Sequence, residues 1–449
     1  MSGKKIEVNV HSKLTVVSDT PVQPGKTYPL SVLDHAMGKH TLHIIFYYRY
    51  DRVDKGGSSD LGRLRASLSD VLSYYPPVTG RLMIDEQNGN WVVKCNDAGV
   101  RVLKAKVNCT LDEWLTKSGG DERDLTAWDD MPNEDPHIWS PFRIQLNDFE
   151  GGGLAIGLSC PHMYADPHCA TILTKSWTDI YRRQAISYSP FFHPPGLRGR
   201  TTNPNTNTKS AAFYAAKSKY FPMETSTKMS SATFRFSDSM VKKHLSDVQI
   251  SCPNATAFEF LTALFWSAIL HVKSTPCKIT IGVDFRKLLE APLPNGFFGN
   301  ALHFSSVECN EEDIKKSGSE YLTKIVHEHC LSSHTEEEFW SAIDWFESQK
   351  DDAGKFSAPF SMYGPELTSL NLEHMFAYGA ALDDKKPLHV SYHVGNLESE
   401  GVILVLPSQE EGLGRTVMVT LPEDQIANVC QNEDILRLEP IMLVSGRQF

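Results

Sequence analysis

Apolar positions in the first half of the chain switch between two periods. Residues 43–48 form an apolar, aromatic run that predicts a buried strand. Over 60–72, Leu61, Leu64, Leu68 and Leu72 fall on one stripe, which predicts a helix. Pro76 and Pro77 stop the chain in a turn before Arg81-Leu82, and 90–95 continues a sheet. Residues 153–158 read as a second buried strand, entered through Gly151-Gly152-Gly153. Residues 170–183, carrying Ile172, Leu173, Trp177 and Ile180, have helical length. The pattern breaks at 189–225, where proline, glycine, asparagine and threonine replace the periodicity, as in a long exposed crossover. It restarts with strands at 232–236 and 278–284 around a buried helix at 256–270, with Pro253 and Asn254 at its start. An acidic helical stretch near 311–347 precedes closing strands at 388–394, 401–406 and 416–421.

A chain of 449 residues exceeds what one core usually organises. Two domains are therefore expected, 1–188 and 226–449, joined by the linker 189–225. Both halves mix strands and helices, so the expected class is α/β with mixed sheets, two similar units facing one another. Ligands favour such interfaces.

Composition narrows the function classes. Hydrophobic content of 41% and charged content of 22% are those of an ordinary globular protein. A net charge of −11 without a long Lys/Arg block argues against nucleic acid as a partner. Nine scattered cysteines, with no Cys-x-x-Cys pair, favour reduced thiols in a cytoplasmic setting. The N-terminus lacks the apolar core of a secretory signal, and 258–272 is too short and polar for a transmembrane segment.

The main chemical signal is Ser159-Cys160-Pro161-His162-Met163-Tyr164-Ala165-Asp166, between the predicted strand and helix. A backbone-fixed turn there can hold the imidazole of His162 at the mouth of a cleft, as a general base requires. His327, His329, Cys330 and His334 form a weaker cluster; on a helix 327 and 329 face different ways, so a solvated helix end is expected and no metal site. No Gly-x-Ser-x-Gly elbow supports a serine hydrolase.

Together these pieces resemble the plant BAHD superfamily of acyl-CoA-dependent acyltransferases over essentially the whole length. The matching blocks are 74–82, His162 to Asp166, 256–266, and Val283-Asp284-Phe285-Arg286 running into Pro292-Leu293-Pro294-Asn295-Gly296-Phe297-Phe298-Gly299-Asn300. The resemblance implies two chloramphenicol-acetyltransferase-like domains with an active-site tunnel between them and His162 midway along it, open to solvent. It implies that His162 takes the proton of an acceptor alcohol or amine attacking the thioester. Asp166 would be structural, paired with Arg286. No resident cofactor is implied; acyl-CoA is substrate or ligand, with Arg198, Arg200, Lys217 and Lys219 as available cations.

Near the C-terminus the chain departs from that family. Where most members carry Asp-Phe-Gly-Trp-Gly it has Phe376-Ala377-Tyr378-Gly379-Ala380, and Thr-Ser-Trp becomes Thr368-Ser369-Leu370. Thr368, Ser369, Phe376, Tyr378 and Gly379 are the substrate-pocket candidates. With Lys94 to Val100, 176–180 and 390–395, these departures resemble the Eceriferum/Glossy clade, tied to cuticular wax. That resemblance implies an acyl-CoA-handling protein that supports very-long-chain fatty acid elongation beside a ketoacyl-CoA synthase. It would be cytoplasmic or peripheral at the endoplasmic reticulum, and a monomer. An active O- or N-acyltransferase using His162 is the other reading, and both stay open.

Overall fold

A computed structural model describes residues 5–23, 25–49, 59–116, 121–132, 136–192, 197–200, 208–220, 228–270, 278–309, 311–397 and 400–447. Of the expected linker 189–225, residues 193–196, 201–207 and 221–225 lie outside the described residues. The expectation of a long exposed crossover is corrected at Lys209–Lys217, a helix that buries Ala211 and Tyr214 and packs on Glu336–Ser348.

Two large mixed sheets carry the molecule. The first has six strands in the order Val8–Val16, Val100–Thr110, Arg143–Glu150, Leu154–Pro161, Thr41–Tyr48 and His389–Gly395. The second has seven, in the order Leu302–Glu308, Lys278–Asp284, Leu367–Asn371, Val402–Pro407, Arg415–Pro422, Met229–Phe236 and Ile441–Arg447. A small sheet of Thr27–Pro29, Trp91–Lys94 and Arg81–Ile84 stands apart. The strands Thr41–Tyr48 and Leu154–Pro161 are buried along their whole length, which explains runs without polar alternation.

The predicted strand at 388–394 shows what local pattern cannot assign. It forms, as His389–Gly395, but pairs antiparallel with Thr41–Tyr48, so a late segment completes the first sheet. One large apolar cluster runs through both sheets, from Val16 to Leu438, and a smaller one gathers Ile45, Tyr47, Trp114 and Leu125.

Helices sit where periodicity placed them, with different ends. Ser59–Leu72 packs on Pro167–Tyr181. The buried helix Ala257–Leu270 is not started by Asn254, whose φ is +69°. Thr256 and Glu259 close its first turn instead: Glu259 accepts from the Thr256 N–H at 2.8 Å and donates its own N–H to Thr256 Oγ1 at 3.3 Å. The acidic stretch is helical over Glu311–Ser333, broken at Gly318, whose φ is +63°, and again over Glu336–Ser348, capped by Thr335.

Candidate active site

The strand Leu154–Pro161 ends directly at His162. Its N–H donates to the His40 carbonyl at 2.9 Å, and its carbonyl accepts from Asn300 Nδ2 at 2.9 Å. Asn300 is itself held by Asp34, whose Oδ1 accepts from the Asn300 N–H and Nδ2, each at 2.8 Å. Asp34 stands in the first turn of the helix Val32–Ala36, in a capping box with Ser31. Burial raises the Asp34 carboxyl above its usual range despite these bonds. The backbone of His162 is therefore clamped by His40, Asn300 and, behind them, Asp34. No sequence motif pointed to Asp34; Asn300 lay in the quoted block without a role.

Asp166 caps the next helix, Pro167–Tyr181, accepting from the Cys169 N–H at 3.0 Å, with Pro167 at the first helical position. Its other oxygen meets Arg286 Nη1 at 2.7 Å and accepts from the Ala301 N–H at 3.1 Å. Arg286 also meets Asp284 at 3.1 Å and donates to the Gly299 carbonyl at 2.8 Å. Both side chains are essentially unexposed. Burial alone would raise the Asp166 carboxyl, but the Arg286 charge and the hydrogen bonds outweigh it and hold it below the usual range. The pair ties the helix after His162 to the segment 284–301. It is a fastening, and the imidazole takes no hydrogen bond from it.

The His162 ring is 0% exposed. Its Nε2 lies 2.8 Å from Tyr363 Oη, and Nδ1 has no hydrogen-bond partner. Desolvation lowers its pKa to about 4, so the ring is neutral at pH 7. A solvent-connected imidazole was expected, and this is a correction: a tyrosine side chain fills the space beside it. Tyr363 lies in the loop between the helix Glu336–Ser348 and the strand Leu367–Asn371, and nothing in the sequence singled it out.

The remaining candidates lie elsewhere. Thr368 and Ser369 are buried in the strand Leu367–Asn371, with Ser369 Oγ 2.8 Å from Thr262 Oγ1 on the helix Ala257–Leu270. Phe376 touches the rings of His168 and Tyr188 at 5.4 and 5.0 Å, and Gly379 lies over the Lys175 side chain. Tyr378 is half-buried between them in the turn Ala377–Gly379. This segment packs on the helix Pro167–Tyr181.

Two cavities approach the turn, and His162 lines neither. One, of about 10 Å³, touches Asp166, His168 and Asp284, room for about one water. The other, of about 620 Å³, opens beside the edge strand Leu302–Glu308 and the helix Lys209–Lys217. Lys209, Lys217 and Lys278 line it, opposed by Glu308 and Glu366. Of the four cations considered from sequence, Lys217 is there, buried and paired with Glu366 at 3.3 Å, and Arg200 is engaged by Glu337 and Asp344. Lys209 and Lys278 were missed because they are distant in the chain. His329, half-buried, also lines this cavity, with Nε2 2.8 Å from Ser305 Oγ; the helix end expected to be solvated is packed against the sheet.

Residues 6–436 match the model of the Transferase family. Protein ECERIFERUM 26-like of Arabidopsis thaliana is 26% identical, over 92% of this chain and 92% of its own. Omega-hydroxypalmitate O-feruloyl transferase of the same plant is 25% identical, over 77% and 78%. In fold, the chain is similar to F. sporotrichioides TRI101, solved with coenzyme A and T-2. The TM-score is 0.73 at 14% identity, covering 94% of this chain and all of that one.

Proposed function

From the premise that the chain belongs to the Transferase family, the BAHD-type acyltransferases, we propose that it transfers an acyl group from a CoA thioester to a hydroxyl or amine, with His162 as general base. The observation that carries this reading is the construction of the turn. His162 is clamped through its backbone by His40 and Asn300, leaving its side chain neutral and Nε2 directed at a hydroxyl 2.8 Å away. Nε2 would take the acceptor's proton as the heteroatom attacks the thioester carbonyl, and the departing thiolate would receive it. Such a base contributes about 10²–10⁴-fold. Asp166 and Arg286 hold the turn in place.

The large cavity suits the anionic half of acyl-CoA. Lys209, Lys217 and Lys278 bring three cations to one concavity; Glu366 pairs with Lys217 and Glu308 with Lys278, each at 3.3 Å, which leaves a positive excess for a phosphate. TRI101, solved with coenzyme A, shares the two-domain chloramphenicol-acetyltransferase-like fold. The division into 1–188 and 226–449 across 189–225 is part of this proposal, with His389–Gly395 as the later unit's contribution to the first sheet.

A second reading is favoured by the closed His162 ring and the likeness to an ECERIFERUM protein. Here the chain binds a very-long-chain acyl-CoA beside a condensing enzyme at the endoplasmic reticulum and changes product length without turnover. No helix among the described residues is long and apolar enough to cross a membrane, so attachment would be peripheral. His162→Ala separates the two. Loss of CoA release with an alcohol acceptor supports transfer; an unchanged elongation profile in cells, with no release by the wild type, supports the accessory role.

A further inference from the structure

The group on His162 Nε2 belongs to the chain itself. Tyr363 Oη stands 2.8 Å from that nitrogen, where a base meets the proton it removes. The phenol ring is wholly buried. It lies edge-on to His40 at 4.8 Å and to Phe304 at 5.4 Å, and Tyr392 adjoins its hydroxyl. Two residues on, Pro365 and Glu366 wall the 620 Å³ cavity, as does Ser305, next to Phe304. The Gly364 carbonyl accepts from the cavity residue Lys217. Most buried tyrosine hydroxyls find a partner. This one takes the base atom, two residues before the cavity wall at Pro365.

We propose that Tyr363 occupies the acceptor subsite of the transfer reaction: its phenol holds the place of the acceptor hydroxyl on His162, and the nest it fills selects acceptors that present an aromatic hydroxyl once the 361–365 segment withdraws. The inference rests on His162 as general base. In the open state a phenolic acceptor gives its proton to Nε2. Its oxygen forms the new bond to the thioester carbonyl carbon, the carbon–sulfur bond breaks, and the thiolate takes the proton from the imidazolium. Acceptor size is set by what replaces one tyrosine side chain between His40, Phe304 and Tyr392.

Emptying the nest tests this. Tyr363→Gly, with Tyr363→Ala as the variant that keeps more of the fold, is treated with p-cresol, which is the missing side chain, or with toluene, which lacks the hydroxyl. Ethoxyformylation of His162 by diethyl pyrocarbonate, followed by mass spectrometry, reads the base atom without requiring turnover. His162 is expected to react about tenfold faster than in the wild type, and p-cresol to protect it at about tenfold lower concentration than toluene, the margin one hydrogen bond supports. Unchanged His162 reactivity in both variants, or equal protection by toluene, overturns the proposal. With acetyl-CoA and hexadecanoyl-CoA, p-cresol is expected to restore CoA release and yield the p-tolyl ester in Tyr363→Gly, and not after His162→Ala is added. Protection by p-cresol without ester would uphold the subsite and sink the base reading instead.

Discussion

The turn at His162 and the cavity beside the strand Leu302–Glu308 share one wall, the segment 363–366, yet differ in nearly every physical respect. The turn is dry: His162, Asp166 and Arg286 have almost no exposed surface, and most of their polar atoms are spent on one another or on backbone. The cavity is open, has about 620 Å³ of space and is lined by three lysines. A buried polar network holds geometry, because each unmade bond costs about 1–3 kcal/mol. Glu366 pairs with the buried Lys217 and Glu308 with Lys278, so the three lysines and two glutamates leave a small positive excess in the open cavity, enough to favour an anion there. The difference teaches that fixing the reacting group and receiving the carrier are separate tasks here, and that Tyr363 lies on the boundary between them.

Perturbing the dry side should have the largest effect. His162→Ala is expected to lower acyl transfer by about 10²–10⁴-fold with little change in the binding of CoA, read as kcat against Kd. Arg286→Ala is expected to destabilise the fold by about 3–5 kcal/mol, because it strands the buried Asp166 carboxylate. The shift in denaturant midpoint measures it. A milder fall for Asp166→Asn, which can still accept from the Cys169 N–H, would sharpen the division between charge and cap.

Acid tests the dry regions as a group. Burial lowers His40, His43, His303 and His334 to about 3, and His162 and His389 to about 4. In the unfolded chain these rings titrate near about 6.5, so below that pH the unfolded state binds more protons and stability falls. The denaturant midpoint should drop steadily from pH 6.5 towards pH 4. The acidic limb of kcat/KM should lie below the ordinary histidine range, so long as the protein stays folded. A limb near 6.5 would mean the working base is solvated.

The cavity should respond weakly and through charge. Lys209→Ala and Lys278→Ala are each expected to weaken CoA binding about two- to fivefold, with the loss shrinking at high salt. Loss of turnover with unchanged CoA affinity would break the comparison, since it would give the cavity the turn's task. Last, cleavage within the proposed linker 189–225 should leave the two parts associated, because His389–Gly395 pairs with Thr41–Tyr48 along seven residues; gel filtration after nicking reads this.

Local order along the chain made several elements legible. The stripe from Leu64 to Leu72, the apolar runs at 43–48 and 278–284, and the strand–turn–helix around His162 are each set by residues close in sequence, where periodicity and a proline at the first helical position suffice. Thr256 went unnoticed as a cap because Pro253 and Asn254 are the louder turn signals, while the Thr-x-x-Glu spacing settles the end. The strands Arg143–Glu150 and Ile441–Arg447 were overlooked because their polar positions blur the apolar run.

Chain-local chemistry determined that an imidazole stands at the end of a buried strand and that a carboxylate four residues later begins a helix. Tertiary packing alone decided what surrounds them. Tyr363 reaches His162 across 201 residues, and Asn300 links His162 to Asp34 across 138 and 266. Hydrogen bonds over such separations leave no periodic trace, since each depends on where two sheets come to rest and on which side chain then fills the gap. Whether the base meets solvent, substrate or a phenol of its own chain is therefore a property of packing.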